Sequence, residues 1–196
     1  MTNYALLLSH DLECGKEDLF RLEKLLSEYI IYYVIGGNPL DMINSYIHKN
    51  NLTKNDLLLI YCACHGVKRG IKIGSNVRLL TCLVNSDGSI THSKEIDDIL
   101  SKLPCKIILI VDCCHSETFG DFYTGNSLTF IGTSRLNELS ASYSIDSKPY
   151  CGSLICLLEY LVKSGKGISA NTIKSTYKSF YKKYNIKQEL IFKNYN

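Results

Sequence analysis

The sequence predicts a three-layer α/β fold, with a mainly parallel central sheet flanked by helices. Three observations lead there. Apolar runs of strand length alternate with segments of helical periodicity along the 196 residues. Two of those runs, residues 57–64 and 107–111, are apolar nearly throughout, as strands covered on both faces must be. Finally, 45% of the residues are hydrophobic and 21% charged, a balance that supports a buried core and excludes a disordered chain. Parallel neighbours need a crossover, and helical crossovers cover both faces of the sheet.

The elements follow in order. Residues 4–9 read as a buried strand, and in residues 16–29 Leu19, Leu22, Leu25 and Leu26 recur at helical spacing. Residues 30–35 are β-branched and aromatic and stop at Gly36-Gly37; Pro39 then suits the first turn of a helix over 39–50. Residues 56–64 form a central strand that stops at His65-Gly66. Residues 67–87, broken by Gly70, Gly74 and Ser86-Asp87-Gly88, read as a hairpin or an irregular excursion. A helix over 93–103 shows Ile96, Ile99 and Leu103 on one face, with Ser93 or Thr91 as its cap. Residues 106–111 are another buried strand, running into Asp112-Cys113-Cys114-His115-Ser116. A strand at 128–132, helices at 152–162 and 170–185 and a strand at 188–192 complete the chain. With no solenoid repeat and no linker rich in Gly, Pro or Ser, residues 1–196 read as a single domain.

Several classes are excluded. The longest apolar stretch, residues 57–64, falls far short of the ~20 residues of a membrane-spanning helix. No basic segment precedes the short apolar run at 5–8, so no signal peptide and a cytoplasmic location are expected. Nine cysteines, an odd number and several inside strand-like runs, fit free thiols better than a disulfide framework. A formal charge of +3 is too mild to imply a nucleic-acid partner. The last helix interleaves Lys174, Lys178, Lys182, Lys183 and Lys187 with aromatics, but Ile173, Tyr177, Phe180, Tyr181 and Tyr184 share one face, leaving the lysines as its solvated side. No nucleic-acid or membrane partner is expected, and a monomer is the default.

Ligands of parallel sheets bind outside the carboxyl ends of the strands. There, two very hydrophobic strands finish in cysteine and histidine: Cys62-Ala63-Cys64-His65-Gly66 and Asp112-Cys113-Cys114-His115-Ser116. If both strands lie parallel in one sheet, the two clusters share an edge. An imidazole there can promote thiolate formation and protonate a leaving amine. Side chains alternate along a strand, so Asp112 and Cys114 face one way and Cys113 the other. Cys113 is then core filling, and Cys114 emerges with Asp112 beneath it. The candidate catalytic pair is Cys114 and His65, with the backbone amides of Gly66 and Cys114 as oxyanion donors.

His65 and Cys114 are 49 residues apart, close to the ~50-residue separation of caspases, although the caspase Gln-Ala-Cys is absent. The blocks at 56–66 and 107–116 resemble the metacaspase branch of the caspase-like cysteine peptidases, whose second block reads Asp-x-Cys-His-Ser-Gly. Leu12-Glu13-Cys14-Gly15-Lys16-Glu17-Asp18 is similar to that family's first-helix motif with Gly and Cys exchanged, and Tyr150-Cys151-Gly152-Ser153-Leu154 to the start of its small-subunit helix. The family's Ser-Gly-His-Gly is Ala63-Cys64-His65-Gly66 here, and the glycine after His-Ser is Glu117. The first difference removes a hydroxyl from the specificity pocket; the second reshapes the loop after the nucleophile.

The resemblance implies a caspase-like fold, with a large-subunit-like part over about 1–125 and a small-subunit-like part over about 126–196. It implies a cysteine endopeptidase whose Asp112 and Asp18 receive basic residues of protein or peptide substrates, with cleavage after Arg or Lys. The alternative is an inactive caspase-fold scaffold that binds protein partners. No cofactor or metal is expected. Neither Cys/His cluster has the knuckle spacing of a zinc site. The stretch where the family carries calcium-binding aspartates is Gly88-Ser89-Ile90-Thr91-His92-Ser93-Lys94, with no acid before Glu95. Asp121 alone cannot complete a site of six to eight oxygens. Nothing precedes the first strand, so a regulatory prodomain is not expected either.

Overall fold

Runs of nearly continuous burial build a six-stranded sheet, seen in a computed structural model that describes residues 2–10, 13–145 and 150–195. Chain order runs β1 (Asn3–Ser9), α1 (Glu13–Leu25), β2 (Ile30–Ile35), α2 (Pro39–Lys49) and β3 (Leu57–Ala63). Then come β4 (His65–Ile73), β5 (Asn76–Val84), β6 (Ile90–His92), α3 (Ser93–Leu100), β7 (Lys106–Asp112) and β8 (Leu128–Gly132). The chain closes with β9 (Ser142–Tyr143), β10 (Cys151–Gly152), α4 (Ser153–Lys163), α5 (Ala170–Lys183) and β11 (Ile191–Tyr195).

The central sheet has the order β11-β8-β7-β3-β1-β2, parallel throughout except for β11, which pairs antiparallel with β8. In β3, Leu59, Tyr61 and Ala63 point to the face covered by α1, α4 and α5. Leu58, Ile60 and Cys62 point to the face covered by α2 and α3. Both faces being dry explains why the strand shows no polar alternation. The result is three layers, as the sequence predicts. Among the described residues no helix is long and apolar enough to cross a membrane.

Several boundaries move, each for a local reason. The excursion at 67–87 is more regular than a hairpin or irregular loop: β4 and β5 pair over nine residues, and β6 adds a third antiparallel strand. Its signal is faint because β4 and the first half of β5 are largely solvated, and burial is confined to residues 80–83 of β5. The first helix begins at Glu13 and ends at Leu25, not at 16 and 29, with Leu26 N–H closing its last turn on Leu22. The cap of α3 is His92 rather than Ser93 or Thr91: its N–H donates to the Glu95 carboxylate at 2.8 Å, while Thr91 is occupied with Asn38 and Asn85. The last strand starts at Ile191 rather than 188 because Gln188 turns inward, its amide donating to Ser140 Oγ at 3.2 Å.

Candidate active site

The ladder between β3 and β7 sets the site. All seven pairs, from Leu57 opposite Lys106 to Ala63 opposite Asp112, have a sequence offset of 49 residues. Cys64 N–H continues it to Asp112 C=O at 3.3 Å. Two residues beyond Ala63 and Asp112, past the last pair of the ladder, lie His65, the first residue of β4, and Cys114, in the turn after β7. Both line a cleft of about 220 Å³ at the carboxyl edge, together with Asp18, Asp112, Ser140 and Gly152. Gly66 packs so tightly behind them that a Cβ there would fall 2.0 Å from the Cys114 carbonyl oxygen. No larger residue fits that approach.

The cysteines separate by environment. Cys113 is buried in the α2/α3 core, and burial raises its thiol pKa well above the ordinary value. Cys64 borders the cleft, yet burial pushes its thiol up to about 12. Both are protonated, poor nucleophiles. Cys114 is half-exposed, and its Sγ accepts a hydrogen bond from Ser140 N–H at 3.3 Å. His65 is exposed, and its ring meets that of His10 edge-on at 5.4 Å between centroids. His10 N–H is tied to Ala63 C=O at 2.8 Å, so the chain after β1 braces the imidazole.

Beneath the thiol lies a carboxylate pair. Asp112 Oδ1 accepts from Thr133 Oγ1 at 2.8 Å and from Ser140 Oγ at 2.9 Å. Asp18 Oδ1 accepts from Gly152 N–H at 2.8 Å. The Tyr61 hydroxyl stands between the acids, 3.1 Å from Asp18 Oδ2 and 3.4 Å from Asp112 Oδ2. Gly152 closes over them: a Cβ there would fall 2.1 Å from Asp112 Oδ2. Desolvation, reinforced by the Asp112 charge, raises Asp18 from 3.8 to about 7, and desolvation raises Asp112 as well.

That direction has a consequence for stability. The native state binds protons that the unfolded chain releases near pH 4, so the stability contributed by the pair falls as pH rises from about 4 to 7. Asp97, buried under the Gly120 and Phe122 amides and also raised to about 7, acts with the same sign. Asp18→Asn should therefore flatten the decline without abolishing it. Urea unfolding across that range checks this; equal slopes in the two proteins would contradict it.

The structure brings Cys114, His65, Asp112 and Asp18 to one cleft, while Gly66 lies in β4 opposite Leu83. Asp18 sits in the second turn of α1, and Leu12 of the first-helix motif lies outside the described residues. Ser140 and Gly152 also line the cleft, and Tyr61, Thr133 and His10 support its residues from behind; the sequence reading names none of these as site residues. Only Tyr61 carried a signal, since a hydroxyl inside an apolar strand needs a partner. The loop after Cys114 is held by His115 in the left-handed region at φ 63° and by Glu117, whose carboxylate accepts from Leu136 N–H at 2.7 Å. Among the described residues no group of three or more His, Cys, Asp or Glu converges as a metal site.

No protein-family model and no curated protein matches the sequence. Among solved structures, the chain is similar to the protein GSU0716 from Geobacter sulfurreducens, with a TM-score of 0.73 and 14% identity over 100% of this chain and 94% of that one. At that identity the likeness concerns the fold alone.

Proposed function

We propose that the chain is a cysteine endopeptidase of metacaspase type, on a caspase-like fold, that cleaves after Arg or Lys. The observation that carries this reading is the single cleft, at the carboxyl ends of β3 and β7, lined by a half-exposed thiol, an exposed imidazole and a buried pair of carboxylates. Cys114 Sγ, deprotonated by His65, attacks the scissile carbonyl, and the amides of Gly66 and Cys114 are assigned to the oxyanion. His65 returns the proton to the leaving amine, and water then hydrolyses the thioester. A guanidinium or ammonium of the substrate enters the cleft toward Asp18 and Asp112, whose charges strengthen each hydrogen bond it donates. Its arrival also favours ionisation of both carboxyls, offsetting the burial that holds them partly protonated.

The test is hydrolysis of fluorogenic peptides ending in Arg, Lys or Asp by the purified chain, before and after alkylation of Cys114. Turnover of basic peptides that alkylation stops supports the reading. A folded chain that cleaves none of them overturns it in favour of a binding scaffold.

Turnover is expected to be independent of calcium. Asp121 is already paired with Lys193 Nζ at 2.5 Å, and Arg78 lies 3.8 Å away. Asp87 accepts from Ser89, Glu95 caps α3, and Asp98 is engaged by Lys94. Rates measured in excess chelator and in millimolar calcium should agree within about two-fold; a strong rise with calcium would show that these acids rearrange around the ion.

A further inference from the structure

Behind the carboxylate pair the junction of β10 and α4 holds a second sulfur site that the peptidase reading leaves unused. Cys151 Sγ and Cys156 Sγ stand 3.1 Å apart. Arg21 Nη1 lies 3.1 Å from Cys151 Sγ, with the guanidinium held from its other side by Glu17 at 2.6 Å. Cys151 is fully buried, whereas Cys156 borders a small cavity of about 40 Å³, also lined by Arg21, Glu159 and Lys163, with room for a molecule the size of water or peroxide. The other described thiols lack this combination of a sulfur neighbour at contact distance and a guanidinium beside it.

We propose that Cys151 and Cys156 are a peroxide-sensitive dithiol that closes to a disulfide. The pair needs little movement: the sulfurs must approach by roughly 1 Å to reach the ~2.05 Å bond length. Either sulfur can donate to the other across this contact; the hydrogen bond with Cys151 and the Arg21 charge lower the pKa of Cys156, the sulfur that borders the cavity. Cys156 thiolate attacks one oxygen of hydrogen peroxide; the S–O bond forms, the O–O bond breaks and hydroxide leaves. Cys151 sulfur then attacks the resulting sulfenic acid; the S–S bond forms, the S–O bond breaks, and the departing hydroxide takes up the Cys151 proton. Overall two thiols are oxidised, and one peroxide is reduced to two waters.

The position gives the bond a use. Cys151 precedes Gly152, whose N–H binds Asp18 and whose Cα faces Asp112 without room for another atom. Drawing Cys151 toward α4 shifts that lid on the acids. For substrates this consequence rests on the proposed peptidase reading; formation of the disulfide does not.

The experiment treats the Cys114→Ala chain with hydrogen peroxide, alkylates the remaining thiols and digests with trypsin. Residues 136–163 lie between Arg135 and Lys163 and contain only these two cysteines. The expected result is a peptide about 2 Da lighter that escapes alkylation until reduced, while Cys82 and Cys105 stay alkylatable. Cys156→Ser should abolish the loop. Two alkylated cysteines, or a sulfinic acid at either position without a bridge, would overturn the proposal, and the wild-type chain gives the same readout should a variant fail to fold. If the bridge forms, KM for an Arg peptide measured with the wild-type chain should rise several-fold and recover on reduction. A bridge without that rise would leave the dithiol standing and remove its link to the acids.

Discussion

Replacing Cys114 or His65 by Ala is expected to lower kcat/KM on basic peptides by roughly three orders of magnitude or more, because each removes a member of a unit that acts together. Cys113→Ala should retain most of the activity. The two adjacent thiols differ in what surrounds them: Cys113 is 1% exposed in the core under α2 and α3, whereas Cys114 lies in the cleft beside Ser140. Removing the buried sulfur of Cys113 leaves a small void in the cleft wall behind Gly66 that costs about 1 kcal/mol of stability, and it leaves Cys114 and His65 in place. Steady-state kinetics on the three variants, with circular dichroism to verify folding, decide the matter. A dead Cys113→Ala with an active Cys114→Ala would reverse the assignment of the two thiols, and activity in both would remove thiol chemistry altogether.

The second large effect concerns specificity. Asp112→Asn should cut kcat/KM for an Arg substrate by roughly 30-fold or more, the equivalent of about 2 kcal/mol lost when one partner of a desolvated charge pair is neutralised. The substitution keeps the shape, and the Thr133 and Ser140 hydroxyls can still donate to the amide oxygen, so the loss reports charge rather than collapse. Asp18→Asn should act in the same direction, softened because Asp18 carries less charge near its pKa of about 7. An aspartate side chain entering the same cleft would be repelled by both acids. Preferential hydrolysis after Asp, or an Arg rate indifferent to Asp112→Asn, would show that the carboxylates do not receive the substrate's side chain.

How much of this was legible in the residues depended on whether a period carried it. β3 and β7 stood out because both faces are dry; the pleat separates Cys113 from Cys114 in the sequence, although β7 ends at Asp112 and the bend and turn that follow it are what set the two thiols apart. The offset of 49 was readable as a spacing but not as a register, since pairing is set by the whole ladder and not by the two residues at its end. Tyr61 was marked only by its hydroxyl, which asks for a partner inside an apolar run but does not name Asp18 or Asp112 as that partner. Ser140 and Thr133 reach Asp112 from segments that carry no periodicity, and β9 and β10, two residues each, are too short to show any. The two thiols at 151 and 156 straddle a strand-to-helix junction, where neither period applies, so their approach needed coordinates. The shifted last strand has the same origin: the inward turn of Gln188 answers to Ser140, far away in sequence.

The β3–β7 ladder also separates proximity from chain length. The segment between His65 and Lys106 leaves the sheet at one strand end and rejoins it at the foot of the neighbouring strand, returning through α3, which covers one face of the sheet. Its β4–β5 ribbon ends at Gly74, which has open space around it and a φ of 62°. Residues added or deleted at that tip would change the number 49 in the sequence and nothing in the pairing of Ala63 with Asp112. The β4–β5 tip is thus free to acquire length, charge or a recognition segment of its own without shifting the strand ends from which His65 and Cys114 emerge.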